Sequence, residues 1–144
     1  MSDWMSDHEH RLGLLRRLLA FSVLSTGIHF SHNFFSIEDY PPGVFGSETA
    51  VQVAIIVAWP LFTAAGLYGY RLYRQRRYVP ANLLIGLYSA LGITTLGHFT
   101  SGSPEIPSFF YLTIFTDGLV GLALLAFAVW SARSPLPAGA PAPA

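Results

Sequence analysis

The sequence predicts an all-α integral membrane protein, a four-helix bundle with up-down-up-down topology and both termini in the cytoplasm. Three observations predict this class. Of the 144 residues, 52% are hydrophobic and only 11% are charged, and the mean hydropathy is +0.46. Four apolar stretches are each long enough to cross about 30 Å of hydrocarbon as a helix. All eight arginines fall on one side of these stretches.

The four predicted transmembrane helices cover residues 18–36, 49–70, 82–100 and 108–131. The segments between them are short and contain helix breakers, so consecutive helices are expected to be antiparallel neighbours. Residues 1–17 are predicted to form a solvated cytoplasmic arm, residues 18–133 the membrane domain, and residues 134–144 a disordered tail rich in proline and alanine. His8 and His10, which lie in the arm, are assigned no site.

The charge distribution predicts the orientation, because short loops rich in arginine stay in the cytoplasm. The arginines precede the first helix, separate the second from the third, and follow the fourth: Arg11, Arg16, Arg17, Arg71, Arg74, Arg76, Arg77 and Arg133. The opposite loops carry only acids, namely Glu38, Asp39, Glu48 and Glu105. We therefore expect a multi-pass protein of the cell membrane with a negatively charged outer mouth that attracts cations. Tyr40 and Trp130 are typical of anchors at the membrane interface.

The composition also excludes several classes of function. The chain has no cysteine, so disulfides, thiolate nucleophiles and thiolate metal sites are excluded. It has no lysine and no long basic run, which disfavours nucleic-acid binding. The lipid bilayer is the expected partner, and four short helices enclose so little volume that a homo-oligomer or a larger membrane complex is a further expectation. No motif predicts a particular reaction.

Polar side chains lie on one face of each predicted helix. On the first helix they recur at spacings of three and four residues: Ser22, Ser25, Thr26, His29, His32, Asn33 and Ser36. With a rise of about 1.5 Å per residue, His29 and Asp117 reach similar heights of roughly 17 to 18 Å above the cytoplasmic boundary. His32, His98 and Gln52 form a second predicted layer at roughly 22 to 24 Å.

Asp117 is the only acid inside a predicted transmembrane helix. An ionised carboxylate is costly in hydrocarbon, so Asp117 needs a partner, and a histidine that uses one ring nitrogen for the carboxylate keeps the other free for a metal or a proton. Gly121 follows on the same face of the fourth helix, and its small size predicts a close approach of a neighbouring backbone.

These residues support several functional hypotheses. The sharpest is a divalent metal site near the extracytoplasmic side, for zinc or ferrous iron, with His29, His32 and His98 as ligands and Asp117 as a fourth ligand or as a partner of a ligand. A second is an electron-transfer subunit in which His29 and His98 ligate the two faces of haem b. A third is a structural or assembly subunit without a cofactor, in which polar side chains only hold the helices together. A quinone or lipid-like ligand and a proton relay through His29 and Asp117 are the remaining alternatives.

Overall fold

The computed structural model describes residues 3–41, 47–100, 102–134 and 136. Over these ranges the chain is all-helical, as predicted, with four long helices: α1 (Asp3–Phe35), α2 (Glu48–Arg74), α3 (Tyr78–Thr94) and α4 (Ser108–Arg133). Two short 3-10 helices, Ile37–Asp39 and Thr95–Thr100, follow α1 and α3. The long helices pack in a ring, with α1 on α2, α2 on α3, α3 on α4 and α4 on α1.

In the described part of the chain, three helices are long and apolar enough to cross a membrane: α2, α3 together with the 3-10 helix after it, and α4. The prediction of four such helices thus holds for three of them by length and composition. α1 differs because arginines lie in its first half and polar side chains line one side of its second half. The exposed side chains of that second half include large apolar ones, with Phe21 51% exposed and Leu24 64% exposed.

α1 begins at Asp3 rather than near residue 18, and its first turns pack against the bundle. His8 is only 2% exposed and stacks on Tyr73, while Arg11 is 6% exposed and its guanidinium carbon lies 4.3 Å from the ring centre of Trp130. The expectation of a solvated arm is therefore corrected at these two positions, because aromatic side chains of α2 and α4 cover them. In the predicted tail, Pro135 and residues 137–144 lie outside the described residues.

Two sets of contacts define the ends of the bundle. At one end, the Tyr78 hydroxyl lies 3.0 Å from His8 Nδ1, and Arg11 donates to the Ser134 carbonyl at 2.8 Å. The starts of α1 and α3 and the end of α4 therefore meet there. At the opposite end, the Glu105 N–H donates to the Asp39 carbonyl at 2.9 Å and joins the segments that follow α1 and α3.

α3 and α4 approach each other closely through glycines. A Cβ atom on Gly92 would lie 2.5 Å from the Asp117 carbonyl oxygen, and one on Gly121 would lie 2.9 Å from the Ser89 carbonyl oxygen. The close approach predicted at Gly121 is confirmed. Because backbone lies directly against backbone here, the position of Asp117 relative to α3 is fixed by main-chain contact.

Candidate functional site

Asp117 lies at the centre of a buried polar group between α1 and α4. Its side chain is 0% exposed, its Oδ2 atom lies 2.8 Å from His29 Nδ1, and its Oδ1 atom accepts a hydrogen bond from the Ser25 hydroxyl. Ser25 is also 2.9 Å from the Thr116 hydroxyl. Ser25 and His29 are one helical turn apart and share the polar face of α1 that the sequence predicts. The expected partnership of Asp117 with His29 is therefore present.

His29 uses both of its ring nitrogens. Its Nδ1 atom faces the Asp117 carboxylate, which is a hydrogen-bond acceptor, so Nδ1 carries a proton and donates. This tautomer leaves Nε2 to face His98, whose Nε2 atom is 3.2 Å away. His29 is 0% exposed, and the ring of Phe30 packs beside its own with centroids 5.0 Å apart.

His98 reaches this group because α3 ends at Thr94 and continues as a 3-10 helix. Successive side chains of a 3-10 helix point about 120° apart instead of about 100°, so the change of helix type alters the direction of His98. The Thr95 hydroxyl anchors the segment by donating to the carbonyls of Gly92, at 2.7 Å, and Ile114, at 3.2 Å. The structure thus places His98 with His29, whereas the sequence predicted it in a separate layer with His32 and Gln52.

His32 and Gln52 have other partners. His32 Nδ1 lies 3.0 Å from the Tyr40 hydroxyl, and the ring stacks on Phe110 with centroids 3.7 Å apart. Gln52 donates to the Phe34 carbonyl at 2.9 Å, which fastens α2 to the end of α1. The predicted layer of His32, His98 and Gln52 does not form, because height along a helix does not specify which neighbour a side chain faces.

Tyr40 is buried, at 7% exposed, rather than placed as the expected interface anchor. Its ring centre lies 5.0 Å from that of His98, so it covers the histidine from the side of the acidic loops. Burial and the neighbouring Asp39 carboxylate both raise the pKa of the Tyr40 phenol. The phenol therefore stays protonated at neutral pH, and it shares its hydrogen bond with His32 Nδ1.

Asn33 is the residue next to His98 that sequence reasoning did not single out for the site. Its side-chain amide lies 3.3 Å from His98 Nε2, and the residue is 2% exposed. The signal was available, because Ser25, His29 and Asn33 are spaced by four residues on one face of α1. We call Ser25, His29, Asn33, His98, Thr116 and Asp117 the Asp117 network.

Within the residues that the structure describes, no three side chains of histidine, aspartate or glutamate converge closely enough to hold a metal ion. The set predicted from the sequence, His29, His32, His98 and Asp117, is therefore not assembled as one ligand group. His32 faces Tyr40. Asp117 bonds to Nδ1 of His29, on the opposite side of the ring from Nε2, which faces His98.

A groove of about 940 Å³ follows α1 along its contact with α2. Its walls are mainly apolar, and they include Leu19, Val23, Ile28 and Trp59. The groove reaches His32 but does not include His29, His98 or Asp117 among its lining residues. The Asp117 network is thus closed off from this groove.

Comparisons with protein-family profiles, with curated proteins and with solved structures find no match to this chain.

Proposed function

We propose that this is a four-span membrane protein with both termini in the cytoplasm, and that it binds one divalent metal ion, zinc or ferrous iron, at His29 and His98 near the extracytoplasmic side. The observation that carries the proposal is the pair of contacts made by His29. Asp117 holds its Nδ1 at 2.8 Å, and its Nε2 lies 3.2 Å from His98 Nε2.

The first of these contacts resembles the hydrogen bonding of metal-bound histidines, which donate their second ring N–H to a carboxylate. Asp117 fixes the tautomer of His29, so the Nε2 lone pair is available to an ion. The carboxylate also offsets part of the charge that an ion would bring into the bundle. Asp117 therefore acts as the partner of a ligand rather than as the predicted fourth ligand.

The second contact has the spacing of two neighbouring ligands. Nitrogens bound at 2.0 to 2.1 Å to one tetrahedral ion lie about 3.3 Å apart, close to the observed 3.2 Å. Two histidines on opposite faces of a haem iron at similar bond lengths would be separated by about 4 Å, with the porphyrin ring between them. The spacing therefore favours a single ion over haem b.

The orientation is supported by the positions of the charges. α1 spans 33 residues, which at about 1.5 Å per residue exceeds the thickness of the hydrocarbon core. It carries Arg11, Arg16 and Arg17 at the end of the bundle where the last turn of α2 and the link to α3 contribute four more arginines. Asp39 and Glu105 lie at the other end, on the same side as His98, where they favour the approach of cations.

The orientation is tested with single cysteines, since the natural chain has none. Gln75 and Ser103 are exposed and lie in the two opposite links. We expect an impermeant thiol reagent added to intact cells to label Ser103→Cys and to leave Gln75→Cys unlabelled. Labelling of Gln75→Cys from outside would reverse the orientation.

A second candidate function is a structural subunit without a cofactor, and it is favoured by neutral hydrogen bonds between helices. Trp59 of α2 donates to the Thr26 hydroxyl at 3.2 Å, and Tyr88 of α3 donates to the Ser22 hydroxyl at 3.0 Å. These contacts need no ion. In this case the contact between His29 and His98 is one more hydrogen bond of the same kind.

Elemental analysis, an absorption spectrum and a zinc titration of the purified protein decide between these functions. We expect one zinc or iron per chain, lost in His29→Ala and in His98→Ala and retained in His10→Ala, a control histidine that is exposed. A Soret band in the absorption spectrum would select haem instead. A protein that binds neither metal nor haem would support the structural function.

A further inference from the structure

Asn33 offers an oxygen atom with no partner beside the two histidines. Its Oδ1 atom is buried and has no hydrogen-bond partner among the described residues, although its amide nitrogen lies 3.3 Å from His98 Nε2. The oxygen and nitrogen of an asparagine amide exchange places when the side chain turns by 180°, and hydrogen bonding decides between the two orientations. In the turned orientation, Oδ1 occupies the position that faces His98.

Hydrogen bonding alone does not satisfy the atoms that meet at His98. Its Nε2 has one bonding position, which is either an N–H or a lone pair, yet His29 Nε2 and the Asn33 amide both lie within 3.3 Å of it. In neither orientation of Asn33 does that single position serve both groups. The turned amide oxygen and the His29 lone pair must share one N–H, whereas the amide N–H and the His29 lone pair need opposite forms of Nε2. A cation removes the competition, because it accepts lone pairs from both ring nitrogens and from the amide oxygen together.

We propose that Asn33 Oδ1 is the third protein ligand of the metal ion, an inference that rests on the proposed site at His29 and His98. The distances from His98 Nε2 to the other two groups, 3.2 and 3.3 Å, both match the edge of about 3.3 Å of a tetrahedron with ligand bonds of 2.0 to 2.1 Å. Asn33 lies four residues after His29, so α1 presents both ligands on one face.

This donor set defines the class of ion. Two imidazole nitrogens and one amide oxygen suit zinc and ferrous iron, whereas copper(I) selects sulfur ligands, and calcium and magnesium select oxygen ligands. Three protein ligands leave at least one coordination position open, which is the arrangement of metal sites that bind a small molecule or water. Tyr40, whose ring lies 5.0 Å from that of His98, covers this group of ligands.

The test measures binding of zinc, and of cobalt(II) as a visible spectroscopic probe, to the purified full-length protein. The key variant is Asn33→Leu, and the matched control is Gln52→Leu, which removes a part-buried side-chain amide of α2 away from the site. We expect Asn33→Leu to weaken binding at least about 10-fold and Gln52→Leu to leave it unchanged. Asn33→Asp should tighten binding, since it completes a set of two histidines and one carboxylate.

The outcomes separate this inference from the proposed function. If His98→Ala abolishes zinc binding while Asn33→Leu retains the parent affinity, the histidine site stands and Asn33 is not a ligand. If the parent protein binds no zinc or cobalt, the proposed function fails and this inference with it. If Asn33→Leu does not fold, as judged by its melting without metal, Asn33→Asp decides: tighter binding supports the assignment, and unchanged or weaker binding overturns it.

Discussion

Two of the buried polar groups in the described part of the bundle differ in their chemistry. One is the Asp117 network, and the other lies at the opposite end, where the Tyr73 hydroxyl and Ser131 hydroxyl are 3.0 Å apart and Asn82 donates to Ser131 at 3.4 Å. We call this second group, with His8 and Tyr78, the Tyr73 network. It contains hydroxyls, an amide and one imidazole, and no carboxylate is bonded to it among the described residues.

The comparison shows which feature points to a ligand. Both networks include a buried asparagine whose Oδ1 has no partner among the residues described, Asn33 in one and Asn82 in the other. An unpartnered oxygen therefore does not define a metal site by itself. Only Asn33 is next to an imidazole nitrogen that faces a second histidine, and only there does a carboxylate fix the tautomer.

The largest expected effect comes from removing the carboxylate. Asp117→Ala leaves His29 Nδ1 buried without its acceptor and removes one of the two partners of the Ser25 hydroxyl, so we expect a loss of about 3 kcal/mol in the free energy of unfolding. Ser131→Ala removes a neutral partner from the Tyr73 network and should cost only about 1 kcal/mol. Unfolding of metal-free protein in detergent measures both, and equal losses would remove the distinction between the networks.

The next effect tests how Asp117 is positioned. Gly92→Ala places a Cβ atom against the Asp117 carbonyl, and we expect it to destabilise the protein by about 1 to 3 kcal/mol and to weaken zinc binding. Gly86→Ala, on the same helix, meets no atom within 4 Å and should be neutral or stabilising by up to about 1 kcal/mol. Equal stability of the two variants would show that close packing of α3 on α4 does not hold the network.

A smaller effect is expected within the Tyr73 network. Tyr73→Phe keeps the ring packed on His8 and removes only the hydroxyl that meets Ser131, so the loss should be about 1 kcal/mol, with zinc binding unchanged. Tyr68→Phe is the control, because Tyr68 is 53% exposed and its change should have no measurable effect. Loss of zinc binding in Tyr73→Phe would show that the two networks are coupled.

The smallest effect is a pH dependence at His8. Burial, followed by the nearby Arg76 charge, lowers the pKa of His8, while Glu9 acts in the opposite direction, and the Tyr78 hydroxyl faces Nδ1. The pKa of His8 in the folded protein lies below the unfolded value of about 6.5. The stabilisation that neutral His8 contributes is therefore fully present above about pH 6.5, and it declines as the pH falls from there towards the folded pKa. Unfolding measured between pH 7.5 and 5 should show a shallower decline for His8→Phe than for the parent. Parallel plots of unfolding free energy against pH for the two proteins would contradict the assignment of this pH dependence to His8.

Much of the fold and part of the site follow from the sequence. The apolar stretches located most of each helix, because a run of about 20 apolar residues has the length that crosses a bilayer as a helix. The period of 3.6 residues placed Ser25, His29 and Asn33 on one face of α1, and the constant helical rise placed His29 level with Asp117. These properties belong to a single helix, so they can be counted along the chain.

Only the tertiary structure decided which of these side chains meet. Hydropathy did not indicate that α1 continues to Asp3, because the burial of His8 and Arg11 depends on aromatic side chains from other helices. Helical rise did not indicate that His98 joins His29 while His32 joins Tyr40, because the 3-10 helix after Thr94 and the rotation of each helix about its axis set those directions. The contact of Gly92 with the α4 backbone fixes the rotation of α4 relative to α3. Two helices that touch at main-chain atoms cannot turn, so Asp117 keeps its direction.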